Sequence, residues 1–405
     1  MIGKYSNEMK KNMKVLLINT VCGIRSTGRI CSDISDVLNE QGIECRIAYG
    51  RGNVPEAYKT IGKKIGSEID VKIHALGARI FDNAGFGSKR ATAEFLRWVK
   101  EWNPDIIHLH NIHGYYIDVK QLFEFLKRFN KPVIWTLHDC WPFTGHCVYF
   151  DYVHCNKWMN GCKSCPQKKR YPSSLVFDRS ARNYRLKKEL FSGVGNMTIV
   201  TPSNWLANLI KDSYLNKYQV QVIPNGIDLK CFSYSESSVR KKYGVDDKTV
   251  ILAVADGWSE PRKGLADIIE LSKDLNDQER IILVGYAGNE KHDLPPNIIP
   301  IGKTNNVREL VELYSTADVF INTTHEDNYP TVNLEAQACG TPVVTYRTGG
   351  SVESVPDDNV VEVGNVREFL HKIRSHKNLS LIEKNLLDKT RSYSQYLNLY
   401  LETLK

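Results

Sequence analysis

The sequence predicts an α/β protein made of two Rossmann-like domains that face each other across a cleft. Three observations carry this. Short, β-branched apolar runs alternate with helical patterns along the chain. The alternation restarts after Val222. Between the two series stands Pro224-Asn225-Gly226, a turn signal suited to a hinge.

The first series opens with a strand at Val15–Ile18, a loop carrying Gly23 and Gly28, and a helix near Ile30–Asn39. Strands follow at Cys45–Tyr49 and Ile106–Leu109, then a helix at Val119–Phe129 and a strand at Val133–Leu137. Met197–Thr201 reads as a strand and Trp205–Leu215 as a helix. These strands are apolar throughout rather than alternating, which suits a parallel sheet covered on both faces. The second series has strands at Val250–Val254, Ile281–Gly285, Val319–Asn322 and Pro342–Tyr346. Its helices are Leu265–Leu275, Val307–Tyr314 and Pro330–Cys339. Leu381–Leu404 is a long helical pattern, expected to pack back on the first domain. The expected domains are therefore 13–222, with a cysteine-rich insert at 140–170, then 223–385, then a returning helix at 386–405.

The 405 residues are 42% hydrophobic and 25% charged, the balance of an ordinary globular chain. Forty aromatic residues exclude disorder (13 Phe, 20 Tyr, 7 Trp). No apolar run approaches the roughly 18 to 20 residues of a spanning helix. The stretch MIGKYSNEMKKNMKVLLINT has neither the apolar core nor the cleavage site of a secretory signal, so a cytoplasmic chain is expected. Residues 1–222 hold 33 basic and 19 acidic groups, a net +14. Residues 223–405 hold 21 and 27, a net −6. A basic half of this kind suits nucleic acid, an anionic membrane surface or a phosphate-bearing substrate.

The loops carry the chemistry. Residues Thr323 to Ala336 follow a buried strand and open a helix, with Pro330 placed for its first turn and Gly340 past its end. The amides near Thr331 form a phosphate site at a positive dipole end. Asp327 precedes that helix and Glu335 lies within it, so two carboxylates can reach opposite ends of one ligand. Each accepts hydrogen bonds from a vicinal diol, one on a sugar and one on a ribose. Arg262 and Lys263 stand in another strand-to-helix loop, Glu260-Pro261-Arg262-Lys263-Gly264, where Lys263 can neutralise a diphosphate. Arg25-Ser26-Thr27-Gly28 follows the first strand as a phosphate or acceptor loop.

These pieces resemble the family-4 glycosyltransferases of the GT-B fold: PRKG at 261–264, Asp327 and Glu335 eight residues apart, EAQACGTPVV at 335–344, TGG at 348–350, TPSNWL at 201–206 and IPNGID at 223–228. STGRI at 26–30, PDIIHLHNIHGYYI at 104–117 and LHDCWPFTGHC at 137–147 are similar to the bacterial exopolysaccharide, colanic acid biosynthesis type. The resemblance implies an acceptor-side first domain and a nucleotide-sugar-binding second domain. It implies retaining transfer of a hexose from a UDP- or GDP-sugar to a growing cell-surface polysaccharide, with no catalytic metal. Lys263 would hold the donor diphosphate and Glu335 the ribose. Asp327 stands where the family usually has a glutamate touching the donor hexose. Gly257 stands where it often has an arginine. His138 would touch the transferred sugar, and Asp139 would be a polar partner of the acceptor. With no clear nucleophile, the chemistry implied is front-face displacement, helped by the leaving diphosphate.

Ten cysteines in a cytoplasmic chain argue against a disulfide framework. Cys147, Cys155, Cys162 and Cys165, spaced Cys-x7-Cys-x6-Cys-x2-Cys, suit a closed structural zinc site, with Cys140, His146 and His154 as spare donors. The family's acceptor is usually lipid-linked, so the basic half is expected to meet an anionic membrane surface peripherally, at the inner face. Lys59–Lys100 and Lys157–Lys188 concentrate that charge, interleaved with Ile61, Ile65, Phe81, Phe86, Phe95 and Trp98, and with Trp158, Tyr171, Phe177 and Tyr184. No nucleic-acid partner is expected, because a zinc finger explains the cysteines but not the donor loops. Two other readings stay open: a sugar-nucleotide epimerase or hydrolase on the same fold, and a non-enzymatic zinc-stapled binding protein.

Overall fold

The computed structural model describes residues 13–288 and 293–405. The expectation on the secretory signal falls largely outside them. The chain divides into two compact units: one runs to Pro224 and takes in Tyr393–Lys405, the other is Asn225–Ser392.

The first unit is a seven-stranded parallel sheet in the order β3-β2-β1-β4-β5-β6-β7. Its strands are β1 Lys14–Asn19, β2 Glu44–Tyr49, β3 Gly62–Lys64, β4 Ile106–Leu109, β5 Val133–Thr136, β6 Met197–Thr201 and β7 Gln219–Val222. Its longer helices are α1 Arg25–Glu40, α2 Glu68–Phe81, α3 Lys89–Trp102, α4 Val119–Leu126, α5 Ser180–Phe191 and α6 Asn204–Lys211. Successive side chains of a strand point to opposite faces. Leu16, Ile107 and Trp135 accordingly pack with α3, α4 and the cysteine-rich insert on one face. Val15, Ile106 and Ile134 pack on the other.

The second unit repeats the plan with six parallel strands in the order β10-β9-β8-β11-β12-β13. They are β8 Thr249–Val254, β9 Glu279–Val284, β10 Ile298–Ile301, β11 Val319–Asn322, β12 Val343–Tyr346 and β13 Val360–Val361. Its longer helices are α7 Leu265–Lys273, α8 Val307–Thr316, α9 Thr331–Ala338 and α10 Val366–Arg374. The last helix, α11 Lys389–Thr403, belongs to the first unit from Tyr393 onward. Tyr393, Tyr396 and Tyr400 are buried in the sheet face opposite α4. Tyr400 Oη lies 2.6 Å from His108 Nδ1, and Tyr396 Oη 3.0 Å from Thr136 Oγ1.

In each sheet the order in which strands are added reverses at one point, between β1 and β4 and between β8 and β11, while all strands stay parallel. The strand C-terminal ends there open the crevice in which α/β sheets bind ligands. Among the described residues no helix is long and apolar enough to cross a membrane.

Two expectations are corrected. Arg25, Ser26, Thr27 and Gly28 are not a free loop: they form the first turn of α1, which begins five residues earlier than its apolar period suggests. Gly28 is buried, with no room for a Cβ, which would stand 2.9 Å from Val21 Cγ2. Of the apolar residues interleaved with the basic stretches, Ile65, Phe95, Trp158 and Tyr184 are core. Tyr171 instead hydrogen bonds to His113 at 3.1 Å. Phe81 and Phe177 do reach solvent.

Candidate active site

In the second unit, three loops leave adjacent strand ends and are sewn to one another. The loop after β8 ends in a turn at Pro261–Lys263 and passes through Gly264 at φ +77°. A Cβ on Gly264 would stand 2.0 Å from the Thr323 carbonyl oxygen, so only glycine permits this approach. The loop after β11 returns the contact. His325 N donates to Arg262 O at 2.7 Å, and Thr323 Oγ1 donates to Gly264 O at 3.1 Å. The loop after β12 closes the third side. Thr348 Oγ1 donates to His325 O, and Gly350 N donates to Asp327 O at 3.1 Å. Gly349, at φ +51°, would put a Cβ 2.1 Å from that same Asp327 oxygen.

This clasp brings Lys263 and Asp327 together, Nζ to Oδ2 at 3.0 Å. Burial raises the Asp327 carboxyl, but Lys263 and Arg262 outweigh it and hold the group below its ordinary range. Arg262 also braces the loops: its Nε meets Glu260 Oε2 at 2.7 Å, and its Nη1 donates to Glu326 O at 3.2 Å. Thr331 opens α9 three residues after Asn328, directly behind Pro330, whose own side chain makes no cap hydrogen bond. Glu335 is buried one turn further on and accepts from Tyr314 Oη at 3.0 Å. Asp267 orients the clasp from α7, bonded to His325 Nε2 at 2.7 Å and to Tyr346 Oη at 3.0 Å. Tyr314 and Asp267 carry no sequence signal, because their partners lie 21 to 79 residues away.

The first unit gathers imidazoles at its own reversal point. His138 follows β5, with Nε2 2.9 Å from His110 Nδ1 and the two rings stacked. Burial lowers His138 to about 4. His110 is also held well below its ordinary value by burial. Its Nε2 is buried without a hydrogen-bond partner. Asp139, expected as a polar partner of the acceptor, is bonded within the first unit. Its Oδ2 meets His113 Nε2 at 2.7 Å and its Oδ1 accepts from Trp141 N at 2.9 Å, so the carboxylate fixes the turn after β5. Asn19 joins the loops after β1 and β4, donating to Val21 O and accepting from Asn111 N. Arg25 and Ser26 remain exposed at the start of α1.

Two family descriptions match. "Glycosyltransferase Family 4" covers residues 27–230, half of the chain. "Glycosyl transferases group 1" covers residues 235–394. The chain belongs to glycosyltransferase family 4. This glycosyltransferase is 24% identical over 361 residues to the colanic acid biosynthesis glycosyl transferase WcaC of Escherichia coli (strain K12), covering 84% of this chain and 85% of that one. It is 26% identical over 246 residues to a D-inositol 3-phosphate glycosyltransferase of Stackebrandtia nassauensis, covering 52% of this chain and 55% of that protein. Its fold matches Anabaena HepE, solved in complex with UDP, at a TM-score of 0.66 and 16% identity over 96% of this chain and all of the other. The glycosyltransferase has the GT-B fold, and both of its units are parallel-sheet α/β units.

The insert gathers its cysteines. Cys147, Cys155, Cys162 and Cys165 line one small cavity together with His146 and Trp158. Gly145 N donates to Cys162 Sγ at 3.1 Å. His146 is buried; its Nδ1 lies 2.6 Å from Asp82 Oδ1 and its Nε2 has no hydrogen-bond partner. Thiolate and imidazole are donor types that zinc accepts. Among the described residues, however, no three His, Cys, Asp or Glu side chains stand close enough together to hold an ion.

Proposed function

We propose that this glycosyltransferase moves a hexose, with retention, from a UDP- or GDP-sugar to a growing, lipid-linked cell-surface polysaccharide at the cytoplasmic face of the inner membrane. The observation that carries the donor reading is the Lys263–Asp327 pair, held by three interlocked loops, two of them dependent on a glycine, just ahead of the N-terminus of α9. A fixed ammonium next to helix amides suits a diphosphate whose charge grows as its bond to the sugar breaks. Lys263 and Arg262 take that charge, and the amides at Thr331 take a phosphate oxygen. Asp327 holds hexose hydroxyls and Glu335 the ribose. His138, neutral, touches the transferred sugar.

In this reading the acceptor hydroxyl attacks C1 on the face from which the diphosphate leaves. The new C1–O bond forms as the old one breaks, and the acceptor proton passes to a departing phosphate oxygen. Positioning and charge stabilisation are the protein's contribution. The similarity to WcaC supports an exopolysaccharide product, and the UDP complex of HepE supports a nucleotide donor. We further propose that Cys147, Cys155, Cys162 and Cys165 hold one structural zinc, which would staple the insert. The test is incubation with UDP- and GDP-hexoses, with and without lipid-linked saccharide, reading released nucleotide and the anomeric configuration of the product. Acceptor-dependent release with retained configuration is expected. Equal release without acceptor would make the protein a hydrolase or epimerase.

A further inference from the structure

Helix α2 carries apolar side chains on two faces. Val71, His74 and Ala78 turn into the core. Ile69, Ile73 and Leu76, spaced i, i+4, i+7, stand 67%, 66% and 60% exposed. A surface helix ordinarily keeps polar residues on the side away from its core. At the C-terminal end of α2, residues 175–177 run alongside it: Leu175 N donates to Arg79 O at 2.7 Å and Phe177 N to Ile80 O at 3.1 Å. Leu175 and Val176 are 62% and 57% exposed. Phe81 stacks on Phe177 with centroids 5.9 Å apart. Seven of the thirteen large apolar side chains exposed among the described residues thus belong to these two neighbouring segments.

Cations accompany the patch. The Arg179 guanidinium lies 5.5 Å over Phe81 and 5.6 Å over Phe177. Lys72 and Arg79 are exposed on α2. Lys168 Nζ holds the Val176 carbonyl at 3.1 Å. The nearby carboxylates are engaged: Glu68 pairs with Lys64, Asp70 accepts from Ser67, buried Asp82 accepts from Arg179 N and meets His146 Nδ1, and Asp178, exposed beside Phe177, accepts from Cys165 N and from Ser180.

We propose that α2 and residues 175–177 form the membrane-docking face, inserting these apolar side chains at the interface of an anionic bilayer while the surrounding cations meet lipid headgroups. Exposed aliphatic side chains ringed by Lys and Arg match both layers of such an interface. A second copy of the chain docked on the same patch would bring Lys72, Arg79 and Arg179 against their own copies, a like-charge arrangement. The proposal deepens the lipid-linked acceptor reading, but vesicle binding needs neither donor nor acceptor, so the two can fail separately.

The experiment is sedimentation of the full chain with vesicles of phosphatidylcholine alone and of phosphatidylcholine with phosphatidylglycerol. Binding to the anionic vesicles only, released by high salt, is expected. Ile69→Gln with Ile73→Gln and Leu76→Gln leaves the charge unchanged and touches only exposed positions. It should weaken binding at least about tenfold. Its thermal melting and its binding of UDP and GDP should match the parent. Arg79→Gln with Arg179→Gln should weaken binding to the anionic vesicles while leaving the exposed aliphatic stripe in place. Undiminished sedimentation of the triple variant, or equal binding of the parent to neutral vesicles, overturns the proposal. So does a parent dimer by light scattering that the triple variant abolishes, because the face would then join two copies of the chain.

Discussion

Lys263 has two candidate duties, and one perturbation separates them. It pairs with Asp327 at 3.0 Å, and both groups are partly buried. If it only neutralises Asp327, Lys263→Ala leaves an unpaired carboxylate. That should cost about 1 to 2 kcal/mol of stability, less than the roughly 3 to 5 of a fully buried pair, because water still reaches both groups. If Lys263 also holds the diphosphate, the same change should weaken binding of UDP or GDP by about 2 to 4 kcal/mol, roughly 30- to 900-fold.

Asp327→Asn breaks the tie. It removes the competing anion and frees Lys263 for phosphate, so nucleotide affinity should hold or rise. The double variant Lys263→Ala with Asp327→Asn should regain the stability lost in Lys263→Ala, because no unpaired charge remains. It should not regain the nucleotide affinity. Calorimetric titration with UDP and GDP, beside urea melts of the same four proteins, reads both quantities. Lys263→Ala binding its preferred nucleotide within about twofold of the parent would refute the diphosphate role.

Three further outcomes are expected. His110→Phe removes the partner of His138 Nε2, so nitrogen NMR of His138 should show a changed tautomer and kcat/KM should fall about tenfold; unchanged NMR and kinetics would leave His110 a packing residue. Stability should fall as pH drops from about 6.5 to about 4. Burial lowers His74 to about 4, the unfolded chain takes up that proton near 6.5, and the difference is worth about 3 kcal/mol. His108 and His110 act in the same direction while His146, raised beside Asp82, opposes them, and a flat urea midpoint across this window would contradict the burial of these imidazoles. Finally, tag-free protein should carry about one zinc per chain, lost in Cys162→Ser with Cys165→Ser; metal analysis finding none in the parent would dismiss the staple.

The strands at the two reversal points were legible because they are short, apolar and buried on both faces, and their ends moved by no more than about a residue or two. The edge strands were not. β3 is Gly62-Lys63-Lys64 and β7 is Gln219–Val222, and neither offers a continuous apolar run. Helix α2 escaped notice because its two apolar faces blur the period that marks a surface helix. At the site, Lys263, Asp327 and Glu335 could be read from loop position, since a strand followed by a helix fixes where a loop stands. The company they keep could not. Tyr314 reaches Glu335 from α8, and Asp267 reaches His325 from α7, by pairings that sequence spacing does not encode. His110 and His113 lay in plain view in the run 104–117, yet only the register of β4 against β5 puts His110 beside His138.

The two units share the order of their first six strands, to which the first unit adds β7, and they equip their reversal points with opposite chemistry. The second unit places fixed charge there: Lys263, Arg262 and Asp327. The first places imidazoles kept neutral by burial, His138 at about 4 and His110 well below its ordinary value. Neutrality constrains what His138 can do. An imidazole that stays unprotonated through the physiological range gives no charge to a diphosphate; one of its nitrogens donates a hydrogen bond and the other accepts one. Which nitrogen donates follows from His110. With the proton on His110 Nε2, a buried N–H would lack an acceptor. With the proton on Nδ1, His110 donates to His138 Nε2 and only a lone pair goes unmet, the less costly of the two. The hydrogen of His138 then sits on Nδ1. In the proposed reaction the charged half is assigned to the second unit, so replacing Lys263 should strip nucleotide affinity while replacing His110 should change turnover and leave that affinity alone.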